Sequence, residues 1–302
     1  MKADEICYVD NTVFHNELAS ESYLFESGRY WLFSSKLCPF AHRTEIVRTL
    51  SGLTEQIGLT IADSVQTAEG WNLNKRYQSA NSAPSPVAGV ARLPELYEFA
   101  APGYDGRASV PVLFDTKTNT IVNNESAEII RQFDEIAVRH SNHKTLYPLE
   151  KQKLIDELIN ELVNDFISPI YRAGFATDQQ TYLTYFESVF VSLSKLEQRL
   201  GRSGSYLAGE QLTLADVYAY PHLSRFDAIY HSLYRLNLKF IRDYPHIASY
   251  LRRLGNIPAF ADSLDIQASK QGYFLSWNQP TNGYFVPAGP VVNIRSGVAV
   301  WT

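Results

Sequence analysis

The sequence contains few cysteines and no long apolar run. Its 302 residues include two cysteines, Cys7 and Cys38, and a single methionine. Two thiols are too few for a disulfide framework, and the first residues show no apolar stretch typical of a signal peptide. No segment approaches the roughly 18 apolar residues that a membrane span requires. We therefore expect a cytoplasmic protein with no membrane partner.

Positive charge is also scarce. The 27 Lys and Arg residues are outnumbered by 32 Asp and Glu residues, which gives a formal net charge of -5. Such a chain lacks the cationic field that attracts nucleic acid, so no nucleic-acid partner is expected. The histidines show no ligand spacing, and we expect no metal. A length of 302 residues is enough for two domains, and 45% hydrophobic with 20% charged residues is typical of a soluble globular protein.

The first half of the chain alternates strand and helix patterns. The strand-like RYWLFSS (residues 29–35) runs into a helical pattern, and the strand-like GLTIADS follows at 58–64. The strand-like runs SVPVLFD and TIVNN and the helical ESAEIIRQF close this half, which gives the order βαβ…ββα. Residues 72–107 are rich in Asn, Ser, Pro and Gly, which predicts a surface excursion near a working site, with a short helix at LPELYEF.

The second half predicts helices alone. Apolar stripes at helical spacing cover 154–167 and 182–196, and Thr177 with Gln180 predicts a capping box at the start of the second stripe. Thr213 with Asp216 predicts another helix start, and Pro221 is expected to bend or shorten that helix. The predicted domains are residues 1–140 (α/β), residues 147–270 (all-helical) and residues 271–302, a tail packed on the surface.

Cys38 stands at the junction of the first strand and the first helix, in KLCPFAHR. Free backbone N–H groups and the positive end of a helix dipole favour the thiolate at such a position, and Pro39 suits the first helical residue. His42 and Arg43 could add positive charge near the sulfur. Residue 41 is alanine, so no second cysteine can resolve a mixed disulfide, and an external thiol must do so. A lone cysteine is more often a buried space-filling residue, but this setting favours a reactive one.

Two further motifs have a structural and a functional interpretation. Val110-Pro111 could simply open an edge strand, or it could be a cis peptide that lets the backbone pair with an extended peptide ligand opposite the thiolate. Glu125 and Ser126 begin the helix of ESAEII. They could cap that helix, and they could also hold the charged ends of a γ-glutamyl group.

Taken together, these motifs resemble the glutathione transferase superfamily. Cys-Pro at a strand–helix junction, Val-Pro, Glu-Ser and a helical domain with LTLAD are typical of it, and its first domain is thioredoxin-like. The longer runs RYWLFSSKLCPFAHR, EGWNL, GRASVPVLFDTKTNTIVNNESAEIIRQF, YRAGFAT and SRFDAIYHSLYRLN resemble the Xi class, the glutathionyl-hydroquinone reductases. The resemblance extends from about residue 23 to about residue 290.

The resemblance implies a role for particular residues. Cys38 would be the catalytic cysteine, and three tyrosines, Tyr171, Tyr230 and Tyr273, would hold a glutathionylated aromatic quinol. The implied glutathione site comprises Phe40, Trp71, Arg107, Pro111, Val122, Glu125 and Ser126. The resemblance also implies glutathione as co-substrate, the thioredoxin-like domain as its binding domain, and a homodimer formed through the helical domains. Without the resemblance to the family, the three tyrosines would be interpreted as partly buried core residues.

The chain departs from the family pattern at Phe40, in its tail, and in a region before Tyr23 that is shorter than is usual for the family. Phe40 stands where the family usually has Trp, which keeps an aromatic wall. The tail reads YFLSW (residues 273–277) where the family commonly has Tyr-Tyr-x-Ser-His, so the substrate range is open. The same thiolate could serve another glutathione-dependent lyase or an Omega-like thiol transferase. A binding module without activity is a further alternative, since a fold alone does not fix function.

Overall fold

The computed structural model describes residues 13–75, 77, 82–141, 143–280, 285–293 and 298–300. Cys7 lies outside the described residues. The chain divides into two compact units. One contains the described residues within Asn11–Thr145 and Ser263–Gly283, and the other contains those within Leu146–Asp262 and Tyr284–Thr302.

The first unit is built on a four-stranded mixed sheet. Its strands are β1 (Tyr30–Ser35), β2 (Ile57–Ala62), β3 (Val112–Asp115) and β4 (Thr120–Asn123), in the spatial order β2-β1-β3-β4. β1 runs parallel to β2 and antiparallel to β3, and β3 pairs antiparallel with β4. Parallel pairing of β1 and β2 requires a crossover, and a helix supplies it. The predicted βαβ…ββα order is confirmed.

Three helices accompany this sheet among the described residues between 13 and 145. They are α1 (Pro39–Leu50), α2 (Leu93–Ala100) and α3 (Ser126–Ser141). α1 ends before Gly52, whose φ of +67° suits a glycine. α3 buries the apolar stripe that its period predicts, namely Ile129, Ile130 and Phe133. The first helix therefore begins directly after Cys38, and the third begins at Ser126.

In its described residues, the second unit is helical apart from a terminal strand pair. Its helices are α4 (Gln152–Glu161), α5 (Ser168–Gly174), α6 (Gln179–Ser203), α7 (Leu214–Arg225), α8 (His231–Leu233), α9 (Pro245–Leu254) and α10 (Pro258–Ala261). A π-helical turn, Leu162–Ile167, joins α4 to α5, and a second, Phe226–Tyr230, joins α7 to α8. π-Helical turns are rare in proteins, and those that occur are often found at functional sites. Among the described residues, no helix is long and apolar enough to cross a bilayer.

The helix starts confirm one predicted cap and correct another. Thr213 and Asp216 form a reciprocal capping box at the start of α7, as predicted. The start of α6 is capped by Asp178, whose Oδ1 accepts from the Thr181 amide at 2.8 Å, so the predicted cap at Thr177 is wrong by one residue. An aspartate carboxylate is at least as good a cap as a threonine hydroxyl, and the two neighbours compete for one helix start. Pro221 lies inside α7, which continues to Arg225.

The C-terminal residues do not form one segment. Helix α11 (Ile266–Leu275) belongs to the unit of the mixed sheet, whereas the antiparallel strands β5 (Val291–Asn293) and β6 (Val298–Val300) belong to the helical unit. The sequence placed a domain border at residue 270, within α11. Long-range contacts, which are invisible in the helical period, assign this helix to the first unit.

Candidate functional site

Cys38 is the N-cap residue of α1. Its Sγ accepts a hydrogen bond from the Ala41 amide at 3.4 Å, and its backbone is extended (φ -82°, ψ 114°). Pro39 occupies the first helical position, as predicted. Free N–H groups and the helix dipole at this end favour a negatively charged sulfur, and Cys38 is half-buried rather than fully enclosed. The thiol is therefore placed for nucleophilic chemistry.

A cis-proline loop faces the thiol. The peptide bond between Val110 and Pro111 is cis, and the Cys38 Sγ lies 3.7 Å from the Val110 carbonyl oxygen. The buried Tyr97 supports this loop from α2, because its hydroxyl donates to the Ser109 carbonyl at 2.8 Å. Burial raises the pKa of Tyr97 to about 12, so this hydroxyl stays a donor well into the alkaline range. Sequence reasoning named Pro111 and missed Tyr97, which only a long-range contact identifies.

The start of α3 forms the second part of the site. The Glu125 carboxylate accepts from the Ala127 amide at 2.8 Å, so this side chain caps the helix while remaining about one-third exposed. Arg43 donates to the Ser126 hydroxyl from Nε at 3.0 Å and from Nη2 at 2.5 Å. Its Nη2 also lies 3.5 Å from Glu125 Oε1. A cation, a carboxylate, a hydroxyl and a helix N-terminus thus meet at one point, which suits a ligand carrying both an ammonium and a carboxylate.

The remaining predicted glutathione residues lie in the same unit. Phe40 is half-buried, with the Arg43 guanidinium 5.4 Å from its ring centroid. Trp71 is 4% exposed, and its carbonyl accepts from the Leu93 amide at 3.0 Å. Arg107 is exposed. Val122 is fully buried in β4, and its carbonyl accepts from the Asn16 amide. Its role in binding glutathione stays a prediction.

Two of the three predicted quinol tyrosines come together in the helical unit. Tyr171 of α5 meets the ring of Tyr230 edge-on, with centroids 6.1 Å apart. Tyr230 ends the second π-helical turn and is fully buried. The third, Tyr273, belongs to α11 in the other unit and is 2% exposed.

Sequence reasoning missed two members of this aromatic cluster. Tyr234 stacks on Tyr230 with centroids 5.7 Å apart and planes 2° apart, and it meets Tyr171 at 5.9 Å. His222 meets the Tyr171 ring at 6.1 Å and is 2% exposed. The spacing of Tyr230 and Tyr234, i and i+4, is the one signal in the sequence that could have paired them. The described residues contain no group of three or more His, Cys, Asp or Glu residues able to hold a metal ion.

Comparisons with known proteins agree with this architecture. Residues 37–136 match the family described as "Glutathione S-transferase, N-terminal domain", and residues 179–253 match "Glutathione S-transferase, C-terminal domain". "Glutathione S-transferase omega-like 2" of Schizosaccharomyces pombe is 38% identical over 93% of this chain and 92% of its own length. "Glutathionyl-hydroquinone reductase YqjG" of Escherichia coli is 35% identical over 89% of this chain and 81% of its own length.

Solved structures of glutathione transferases are also similar to this chain. The glutathione-bound structure of the E. coli protein YqjG superposes with a TM-score of 0.86 and 34% identity, and covers 95% of both chains. The glutathione transferase Xi of Phanerochaete chrysosporium gives a TM-score of 0.86 at 36% identity over 94% of this chain and 97% of its own. The fold is therefore a thioredoxin-like N-terminal domain followed by a helical glutathione transferase domain. The chain belongs to the Xi class of the glutathione transferases, the glutathionyl-hydroquinone reductase family.

Proposed function

We propose that this protein reduces glutathionyl-hydroquinones to hydroquinones with glutathione as the reductant. The observation that carries the proposal is the position of the Cys38 Sγ, at a helix N-terminus and 3.7 Å from the Val110 carbonyl oxygen. A peptide ligand can pair with that backbone while its sulfur meets the thiolate. The Xi-class membership and the glutathione-bound relative support the same assignment.

The reaction has two thiol-exchange steps. In the first, the Cys38 thiolate attacks the sulfur of the conjugate, the bond between sulfur and ring carbon breaks, and that carbon takes up a proton. The products are a free hydroquinone and a disulfide between Cys38 and glutathione. In the second step, a glutathione thiolate attacks this disulfide, which releases oxidised glutathione and regenerates the Cys38 thiolate. One cysteine suffices because the second glutathione replaces a resolving thiol.

The other residues bind and orient the two reactants. Glu125 and Ser126 would hold the γ-glutamyl end of glutathione, with Arg43 fixing the Ser126 hydroxyl. Arg107, Trp71 and Phe40 would border the same peptide. The hydroxyls of Tyr171, Tyr230 and Tyr273 would donate hydrogen bonds to the ring oxygens, where charge develops as the aromatic ring departs. A homodimer formed through the helical domains remains a prediction, which light scattering of the purified protein tests.

The decisive experiment uses glutathionyl-menadiol and glutathionyl-hydroquinone as substrates. In one sample, which contains added glutathione, the release of quinol and of oxidised glutathione is measured over time. In a second sample, which contains the conjugate but no added glutathione, the protein is analysed by mass spectrometry. We expect quinol release together with a glutathione adduct on Cys38. Adduct formation from oxidised glutathione without quinol release from either conjugate would overturn the substrate assignment.

A second candidate is an Omega-like thiol transferase acting on small disulfides. The name of the S. pombe relative, "Glutathione S-transferase omega-like 2", favours it. The same assay separates the two, because a thiol transferase forms the adduct and reduces small disulfides but leaves the aryl conjugates intact. Another glutathione-dependent lyase, which would cleave an aryl ether or remove halogen, is tested by adding those substrates. A binding module without activity would show no turnover with any substrate.

A further inference from the structure

Helix α11 carries Tyr273 and lies against the segment that carries Cys38. Both elements belong to the thioredoxin-like unit, although more than 200 residues of chain separate them. The Ser269 hydroxyl of α11 donates to the Lys36 carbonyl at 2.8 Å. Lys36 is two residues before Cys38, so this bond ties the helix to the approach to the thiol.

The side chain of Lys36 strengthens the same contact. Its Nζ donates to the Ser263 carbonyl at 2.6 Å and pairs with Glu45 of α1 at 2.7 Å. Lys36 and Glu45 are about 95% buried, and the His42 Nε2 lies 2.9 Å from the Ser263 hydroxyl. Buried charges persist where partners compensate for their desolvation. The residues leading into α11 are thus joined to the helix that Cys38 caps.

Gly272 lies at the closest approach of α11 to this segment. A Cβ atom at Gly272 would lie 2.5 Å from the Ser64 carbonyl oxygen and 2.7 Å from the Leu37 Cβ. Both distances are far below van der Waals contact, and neither neighbouring atom is the end of a flexible side chain. The residue immediately after Gly272 is Tyr273, and the residue immediately after Leu37 is Cys38. No side chain fits between the two backbones at this point.

The far end of α11 is fixed as well. The Ser276 hydroxyl accepts from the Gln66 amide at 2.9 Å, and the Trp277 amide donates to the Gln66 carbonyl at 3.2 Å. The helix is therefore held at its start by Lys36, near its middle by the fit of Gly272, and at its end by Gln66. Such a helix has little freedom to slide along the surface that carries the thiol.

We propose that Gly272 is a positioning residue that sets the place of Tyr273 relative to Cys38. This inference rests on the proposed function, in which Tyr273 holds the quinol while Cys38 attacks the sulfur. The packing of α11 against Leu37 fixes the register between the residue that orients the aromatic ring and the residue that performs the exchange. A small displacement of the group that orients the aromatic ring lowers the reaction rate, so we expect changes at Gly272 to slow quinol release.

The test compares two reactions in Gly272→Ala. We expect the added methyl group to displace α11 and to lower kcat for quinol release about 10- to 100-fold. Formation of the Cys38 adduct from oxidised glutathione, which needs no quinol contact, is expected to stay within about threefold of wild type. Gly201→Ala is the matched control, because the three atoms nearest to its Cβ would all belong to the His246 side chain, the first at 3.1 Å. It should leave both reactions unchanged.

Ser269→Ala provides a second, milder variant should Gly272→Ala fail to fold by circular dichroism. It removes the bond to Lys36 without adding bulk, and we expect a smaller loss of quinol release with adduct formation preserved. The inference is overturned if folded Gly272→Ala releases quinol at the wild-type rate, or if both reactions fall equally. Failure of the proposed function looks different, because the wild type itself would then release no quinol.

Discussion

Arg43 and Ser126 lie 83 residues apart in the chain, yet the Arg43 guanidinium donates two hydrogen bonds to the Ser126 hydroxyl. The contact joins the helix that Cys38 caps to the helix that begins at Ser126. It therefore links the thiol to the residues proposed to hold the γ-glutamyl group of glutathione.

Replacement of Arg43 by lysine should weaken glutathione binding. A lysine ammonium cannot reproduce a planar two-donor contact, so the Ser126 hydroxyl loses its fixed direction. We expect KM for glutathione to rise about tenfold, equivalent to about 1.4 kcal/mol, with kcat little changed. Arg139→Lys, which alters an exposed pair with Glu135 on α3, serves as the control. An unchanged KM would remove Arg43 from the binding site.

Loss of the thiol should abolish turnover. We expect Cys38→Ser to release no quinol and form no adduct, because a serine hydroxyl is not ionised at neutral pH and cannot form the mixed disulfide. Cys7→Ser, at a position outside the described residues, should keep wild-type activity. Steady-state assays and intact-protein mass spectra measure both outcomes. Comparable activity in the Cys38→Ser and Cys7→Ser variants would contradict the proposed mechanism.

Removal of the Tyr230 hydroxyl should act on the quinol more than on glutathione. Tyr230→Phe keeps the stack on Tyr234 and deletes the donor proposed for the quinol oxygen, so kcat for quinol release should fall about 10- to 100-fold. KM for glutathione should change less than twofold. Tyr220→Phe, on α7, loses a buried hydroxyl that bonds the Phe260 carbonyl and should lower stability alone. Equal losses in kcat and glutathione affinity for Tyr230→Phe would indicate structural damage.

Asp227 should make stability depend on pH. Burial raises the pKa of this carboxyl from 3.8 to about 6, in the π-helical turn that ends at Tyr230. A raised folded-state pKa means that the folded protein binds the proton more tightly, so the stabilisation is complete below pH 3.8 and is lost as pH rises to 6. Arg242 and Asp243 are the charged neighbours, and they act in opposite directions.

Asp227→Asn tests this expectation. In the wild type, Asp227 Oδ1 accepts a hydrogen bond from the backbone N–H of Ile241 at 2.7 Å. The asparagine side chain keeps an oxygen that can accept this bond, but it does not titrate. Between pH 4 and 6.5, the free energy of unfolding of wild type should fall relative to the variant by up to about 3 kcal/mol. Urea titrations at several pH values measure the difference. Parallel curves for both proteins would show that Asp227 does not titrate in this range.

Local chemistry made part of the site predictable. The junction of strand and helix at Cys38 and Pro39 can be predicted from a strand pattern, a helix period and the preference of proline for the first helical turn. All three signals lie within about 20 residues of one another. The capping box of Thr213 and Asp216 is equally local. At α6 the same reasoning failed by one residue, because Thr177 and Asp178 both carry oxygens able to cap and the choice depends on the backbone path.

The sequence by itself determined the strand–cysteine–helix junction, the βαβ…ββα order and the helical second half, since each depends on neighbours in the chain. Tertiary structure alone decided that Arg43 reaches Ser126, that Tyr234 stacks on Tyr230, and that α11 packs beside Leu37. These contacts join residues on different elements or fix how neighbouring rings face each other. Their geometry comes from the packing of whole elements, where steric fit of the kind seen at Gly272 selects among arrangements that share the same local pattern.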